Sequence, residues 1–346
     1  MNSGKQAMLK RILLIPLLLF AMLLSAFGWM NSRKERSSSF FAMDTYMTIR
    51  FTGGSDELLQ AAEKEVNALE KLISVTLDSS EVFRLNRDGE CRISYETALL
   101  LGRALALCEE TDGAMDISIY PLVREWGFTT GNYHVPPEEV IEALLEHVNY
   151  KALAMDSDIV TLPPQMAVDF GSIAKGFTGD RILQLLREGG VTSAILALGG
   201  NIQTLGTKPD GSLWRVAVQD PAGDGYAGIL SVADSAVITS GGYERYFEDE
   251  DGHIWWHILD PKTGYPAENG LISVTVVGEE GARCDALSTA LFVMGEEEAI
   301  RFWREHRDFE MVLITDDQRL LITSPLVDYF TAFQPEKYNL QIISAE

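Results

Sequence analysis

Apolar residues recur along this chain with two periods. Leu58, Ala62, Val66, Leu69 and Ile73 form one stripe of a 3.6-residue repeat, with Asp56 and Glu57 placed where a first helical turn favours acids. That pattern predicts a helix over residues 55–73, and residues 94–110 and 137–148 predict two more. A shorter helix is expected at 182–188. Apolar and β-branched runs predict strands at 46–51, 159–162, 193–198, 214–219, 229–232, 254–259, 272–277, 311–314 and 320–323. Many of these follow one another with no helix between them. The order favours an α+β fold, a largely antiparallel sheet with packed helices, over a doubly wound one.

The N-terminus departs from both patterns. Lys5, Lys10 and Arg11 precede an apolar run over residues 12–29, the arrangement of a signal peptide or membrane anchor, at a length near the lower limit for spanning a bilayer. An uncleaved anchor is the favoured reading, with the rest of the chain at the cell membrane on the extracytoplasmic side. The Ser-rich stretch 31–39 reads as a linker. Residues 1–36 are therefore set aside as leader, and 37–346 are taken as one catalytic unit.

From residue 37 onward, 22 basic residues face 50 acidic ones, a net charge of −28. A nucleic-acid partner is excluded on that ground, because phosphate backbones need a basic face. Any anionic ligand must be held by local amides, a lysine or a metal. Three cysteines, Cys91, Cys108 and Cys284, show no zinc-ligand spacing and give no complete disulfide framework.

Candidate chemistry is concentrated in three places. His257, Asp260 and Thr263 lie within one strand end and turn, His257-Ile258-Leu259-Asp260-Pro261-Lys262-Thr263-Gly264. An ordinary hairpin with a satisfied histidine is the competing reading. Asp285, Ser288 and Thr289 share a helix face by i, i+3, i+4 spacing, and one carboxylate with two hydroxyls suits a hard cation such as magnesium. A plain helix start, with Asp285 near the positive dipole end, is the alternative. Asp169-Phe170-Gly171-Ser172-Ile173-Ala174-Lys175-Gly176 runs through glycines toward a helix, where amides and a lysine can meet phosphate. Further glycine turns occur at Gly199-Gly200-Asn201 and Ser240-Gly241-Gly242-Tyr243-Glu244-Arg245.

Taken in order, these runs resemble the ApbE family of FAD:protein FMN transferases. The likeness begins at Met43-Asp44-Thr45 and passes through Ser80-Glu81 and Gly113-Ala114-Met115-Asp116. It then takes in Asp169 to Asp180, Leu198 to Asn201, Thr239 to Arg245 and His257 to Pro266, and ends with Asp285 to Gly295. The resemblance implies a T-fold-like catalytic domain that binds FAD as substrate with Mg2+. Such an enzyme joins the FMN moiety to a Thr or Ser hydroxyl of an acceptor flavoprotein and releases AMP. It further implies Ser172, Asp285, Ser288 and Thr289 around the metal. Met43, Ala114, Met115, Asp116, Asp169, Lys175, Gly200, Ser240, His257, Ile258, Asp260 and Thr263 would surround FAD. His257 is the candidate base, with Lys175 and Asp285 the other catalytic candidates. Two departures stand out: Asp44 replaces a usual glycine, and Val75-Thr76-Leu77 replaces a usual Ser-Thr-Tyr. The alternatives are an FAD pyrophosphatase yielding FMN and AMP, and a non-catalytic FAD-binding protein. No acceptor-type Asp-x-x-[Ser/Thr]-Gly-Ala-[Ser/Thr] occurs, so the chain reads as donor enzyme rather than flavinylated target. A membrane redox subunit is the expected acceptor.

Overall fold

The computed structural model describes residues 34–223 and 225–346, so the apolar segment 12–29 lies outside the described residues. Among the described residues no helix is long and apolar enough to cross a membrane. Nine strands form the main sheet: β1 (Glu35–Ala42), β2 (Thr45–Thr52), β3 (Ser193–Leu198), β4 (Asn201–Leu205), β5 (Ala236–Gly241), β6 (Leu271–Gly278), β7 (Glu310–Thr315), β8 (Arg319–Thr323) and β9 (Asn339–Ile343). They lie side by side in chain order. All neighbours are antiparallel except β8 and β9, which are parallel. The expected α+β class is what is observed.

The helices enter as insertions between strands. Between β2 and β3 come α1 (Asp56–Ile73), α2 (Glu81–Asp88), α3 (Tyr95–Glu110), α4 (Tyr120–Glu125), α5 (Glu138–Leu145) and α6 (Ala174–Glu188). Between β6 and β7 lies α7 (Gly281–His306), interrupted by a kink at Gly295. Helix α1 forms where the stripe predicts it: Ser55 caps it by accepting from the Leu58 N–H, and Ala62, Val66, Leu69 and Ile73 are buried. Of these, Ala62 and Val66 meet Ile49 and Phe51 of β2 and Ile182 and Leu186 of α6 in one core. Helix α7 lays Leu287, Leu291 and Phe292 on Ile238, Val274 and Val276 in a second. The other face of the sheet is covered by a smaller one, Trp214–Gln219, Tyr226–Val232 and Phe330–Ala332. Each buried leucine-sized side chain contributes about 1.5–3 kcal/mol of hydrophobic stabilisation.

Two expectations need correction. The Ser-rich stretch is not a linker from Glu35 on: Arg36, Phe40 and Ala42 alternate inward while Ser37, Ser39 and Phe41 face out, and all eight residues of β1 pair with β2. The boundary at 36/37 thus cuts a strand. The strand expected over 254–259 stops at Trp256, where its pairing with the three-residue strand Tyr246–Glu248 ends. Beyond it the chain turns under the hold of Trp126, whose Nε1 donates to the Gly264 carbonyl at 2.9 Å.

Candidate active site

One cavity of about 710 Å³ opens where α6, α7, β5 and the 257–261 segment converge. Met43, at its rim, occupies the two-residue turn joining β1 to β2. Met43 (φ 49°) and Asp44 (φ 59°) are both left-handed, the conformation of a type I′ turn that usually takes Asn-Gly. The strain is offset by polar contacts: Glu70 accepts from the Met43 N–H at 2.7 Å, and Arg245 donates to Asp44 at 2.9 Å. Glycine at position 44 would avoid the strain but lose the ion pair.

The cavity wall gathers most of the residues singled out above. Ala114, Met115 and Asp116 line one side. Asp116 is positioned by its own turn, accepting from the Ser118 N–H and hydroxyl and from the Tyr150 N–H. The wall also includes Asp169, Ser172 and Lys175, delivered by the turn that starts α6. Burial holds the Asp169 carboxyl above the usual carboxylate range, against the Gly171 N–H and the charges of Arg245 and Lys175.

Asp285 and Thr289, one turn apart on α7, complete the polar end with Ser240 of β5. The Asp285 carboxylate accepts from the Gly176 N–H at 2.8 Å. That amide belongs to the first turn of α6, where N–H groups lack helical partners and the dipole favours an anion. Ser288 does not reach the cavity: it is fully buried, and its hydroxyl donates to the Asp285 carbonyl at 2.8 Å. With its proton committed there, Ser288 accepts from Ser240, 2.8 Å away, so Ser240 offers lone pairs alone to its next neighbour, Thr289 at 3.4 Å. This relay fixes the direction of each hydroxyl along the polar end.

A hard cation fits that donor set. Among the described residues no group of three or more His, Cys, Asp or Glu side chains could hold a metal. One carboxylate with hydroxyl oxygens is the chemistry magnesium takes when substrate phosphate and water supply the rest.

His257 faces the same space with Ile258. Its Nδ1 lies 3.1 Å from the Arg245 carbonyl, which can only accept, so the proton sits on Nδ1 and Nε2 carries the lone pair. Burial, aided by the charges of Arg245 and Lys175, lowers its pKa to about 4. The result is an imidazole that stays neutral across the neutral pH range.

Three further expected residues lie elsewhere. Asp260 and Thr263 line a separate, shallower hollow of about 460 Å³ with His253 and Glu268. There the Asp260 carboxylate accepts from the Lys262 N–H at 2.8 Å and Thr263 from the Tyr265 N–H at 3.3 Å, so both serve the turn. Gly200 is not in the wall, although Gly199 and Asn201 on either side are. Asn201 and Glu244 are among the wall residues that had no role assigned from the sequence. Asn201 is 2 % exposed with no acceptor for its Nδ2 among the described residues, and its place beside the glycine turn was the available signal. Glu244 is exposed to the cavity, and the desolvating protein around it pushes its carboxyl up to about 7 against the pull of Lys175. Leu77 and Thr76 line the rim where the family's aromatic is absent, and Phe41 and Phe128 supply aromatic surface to the same cavity.

The profile of the ApbE family matches residues 43–313. A protein of Klebsiella pneumoniae (strain 342) named FAD:protein FMN transferase is 31% identical over 304 residues, covering 86% of this chain and 94% of that one. One of the same name from Treponema pallidum (strain Nichols) is 33% identical over 295 residues, covering 78% and 81%. Among solved structures, the ApbE protein of Thermotoga maritima superposes with a TM-score of 0.78 at 31% identity, covering 82% of this chain and 95% of its own. Pseudomonas stutzeri flavinyl transferase ApbE gives 0.75 at 28%, covering 88% and 97%.

Proposed function

The chain belongs to the ApbE family, and we propose that it is an FAD:protein FMN transferase acting on a Thr or Ser hydroxyl of an acceptor flavoprotein. The hydroxyl oxygen attacks the FMN-side phosphorus of FAD, the bond from that phosphorus to the bridging oxygen breaks, and AMP departs with the electron pair. A phosphoester joins FMN to the acceptor. The hydroxyl proton passes to His257 Nε2, which is unprotonated throughout the neutral range.

The observation that carries the reading is the convergence of His257, Lys175 and Asp285 on one cavity of about 710 Å³, within the size range of small-molecule and cofactor sites. Lys175 answers the diphosphate charge locally, as a strongly acidic chain requires. Asp285, Thr289 and Ser172 are the residues that would hold Mg2+, and Mg2+ supplies neutralisation of the charge on the phosphate oxygens. The protein's own share is positioning and electrostatic stabilisation, which dominate phosphoryl transfer. The basic then apolar N-terminal segment supports a membrane-anchored enzyme on the extracytoplasmic side, working on a membrane redox subunit.

The test is AMP release from FAD in the presence of an acceptor domain. Release should vanish with EDTA, return with Mg2+, and vanish again when the acceptor threonine is replaced by valine. Undiminished release with the valine acceptor would identify water as the nucleophile and a pyrophosphatase instead.

A further inference from the structure

Gln203 lies on β4, is 1 % exposed, and forms no part of the cavity wall. Its surroundings are nonetheless unusual. The Nε2 donates to the Gly176 carbonyl at 2.8 Å, while the N–H of the same glycine donates to Asp285 at 2.8 Å. Gly176 is thus gripped at both ends, by the sheet on one side and by the candidate metal ligand on the other.

The packing around this grip requires three glycines. A Cβ on Gly179 would lie 2.3 Å from Gln203 Nε2, and one on Gly281 only 1.9 Å from it. A Cβ on Gly176 would lie 2.1 Å from the Gly281 carbonyl oxygen and 2.7 Å from Asp285 Cβ. Helices α6 and α7 therefore cross with backbone against backbone, and the Gln203 amide fills the socket between them. A second latch runs the opposite way: Asp180 of α6 accepts from the Gly281 and Ala282 N–H groups at 2.7 and 2.8 Å. Helix α7 has no side-chain cap of its own, so Asp180 supplies one across the crossing. Each helix thus places a carboxylate on the other's otherwise unpartnered first-turn amides.

We propose that Gln203 is a positioning residue for Asp285, setting the α6–α7 crossing so that the Asp285 carboxylate is aimed at the cation site. The inference rests on the metal-dependent reading above. A buried amide at this point carries information that an apolar residue would not, since its donor fixes one register of Gly176 against α7, and a ligand misplaced by about 1 Å can cost on the order of 100-fold in rate. Gln203 itself contacts neither substrate nor metal.

The probe is Mn2+ binding to the full chain without FAD, followed by the EPR signal of unbound Mn2+, alongside thermal denaturation. Gln203→Met keeps length and volume but removes the donor. Gly179→Ala is the second variant: it favours the helix intrinsically yet its methyl would displace the same amide. Both should weaken Mn2+ binding about tenfold while remaining folded at the assay temperature, and both should lower kcat more than they raise the KM for FAD. Leu320→Ala, a buried substitution on β8 whose side chain packs in the core on the other face of the sheet from α7, should lower Tm and leave Mn2+ binding unchanged. Mn2+ affinity within twofold of wild type in both variants would overturn the inference while leaving the proposed function intact. Wild-type protein that takes up no Mn2+ would overturn the metal reading, and the inference with it.

Discussion

Gly176→Ala sets two effects of opposite sign against each other. Helix propensity favours alanine over glycine within a helix by about 1 kcal/mol. Sterics oppose it: the new methyl would stand 2.1 Å from the Gly281 carbonyl oxygen and 2.5 Å from its carbon, where ordinary contact begins near 3.4 Å. A shortfall of about 1 Å against backbone cannot be relieved by a rotamer change, so the helices must separate. Overpacking of that kind costs about 1–3 kcal/mol, and this site belongs at the upper end because the obstacle is main chain. The net expectation is a loss of about 2 kcal/mol, which at roughly 2–4 °C per kcal/mol for a large domain lowers Tm by about 4–8 °C. The same displacement pulls Asp285 from the Gly176 N–H, so kcat/KM should fall by at least about tenfold, the equivalent of about 1.4 kcal/mol in transition-state stabilisation. Differential scanning calorimetry and steady-state AMP release measure both. A variant more stable than wild type with full activity would refute the close crossing, since propensity alone would then have acted.

Other substitutions separate the remaining elements of the site. His257→Gln should lower kcat by about 10²–10⁴-fold, the usual range for a lost general base, with FAD affinity changed only severalfold by fluorescence titration. An NMR titration of wild type should find the His257 imidazole neutral down to about pH 4. Because its folded pKa lies below the ordinary value of about 6.5, the stability it contributes is present above that pH and lost as pH falls toward 4. The His257→Gln variant, having no imidazole to titrate, should lack that part of the acid destabilisation. Asp44→Gly relieves a left-handed non-glycine residue, worth about 1 kcal/mol, and gives up an exposed ion pair worth about 0–1 kcal/mol, so urea denaturation should show equal or slightly higher stability. Trp126→Phe leaves the buried Gly264 carbonyl without its donor and should cost about 1–3 kcal/mol, loosening the segment that carries His257.

Much of the fold was legible because periodicity reports burial. The strands at 193–198 and 214–219 form with the expected bounds, and α1 buries most of the predicted stripe. What escaped is where polarity and strand coincide. Strand β1 carries three serines at a sheet edge, and β4 begins at a residue read as turn and buries Asn201, Gln203 and Thr204. Asn201 and Gln203 are buried because they serve the cavity and the helix crossing, contacts separated widely in sequence. The site shows the same division. Lys175, His257 and Asp285 could be found because each stands in a dense local run. Asp260 and Thr263 stand in the same run as His257 but face another hollow, because the chain reverses at Gly264 (φ 76°) under Trp126. Gln203 carried no local signal at all.

The central claim is tested most directly by the intact mass of the acceptor. Residues 34–346, incubated with FAD, Mg2+ and a threonine-bearing flavoprotein domain, should add one FMN less one water to the acceptor for each AMP released, and Asp285→Ala should abolish both. AMP without a gain in acceptor mass, or a mass gain that persists in Asp285→Ala, would contradict the account.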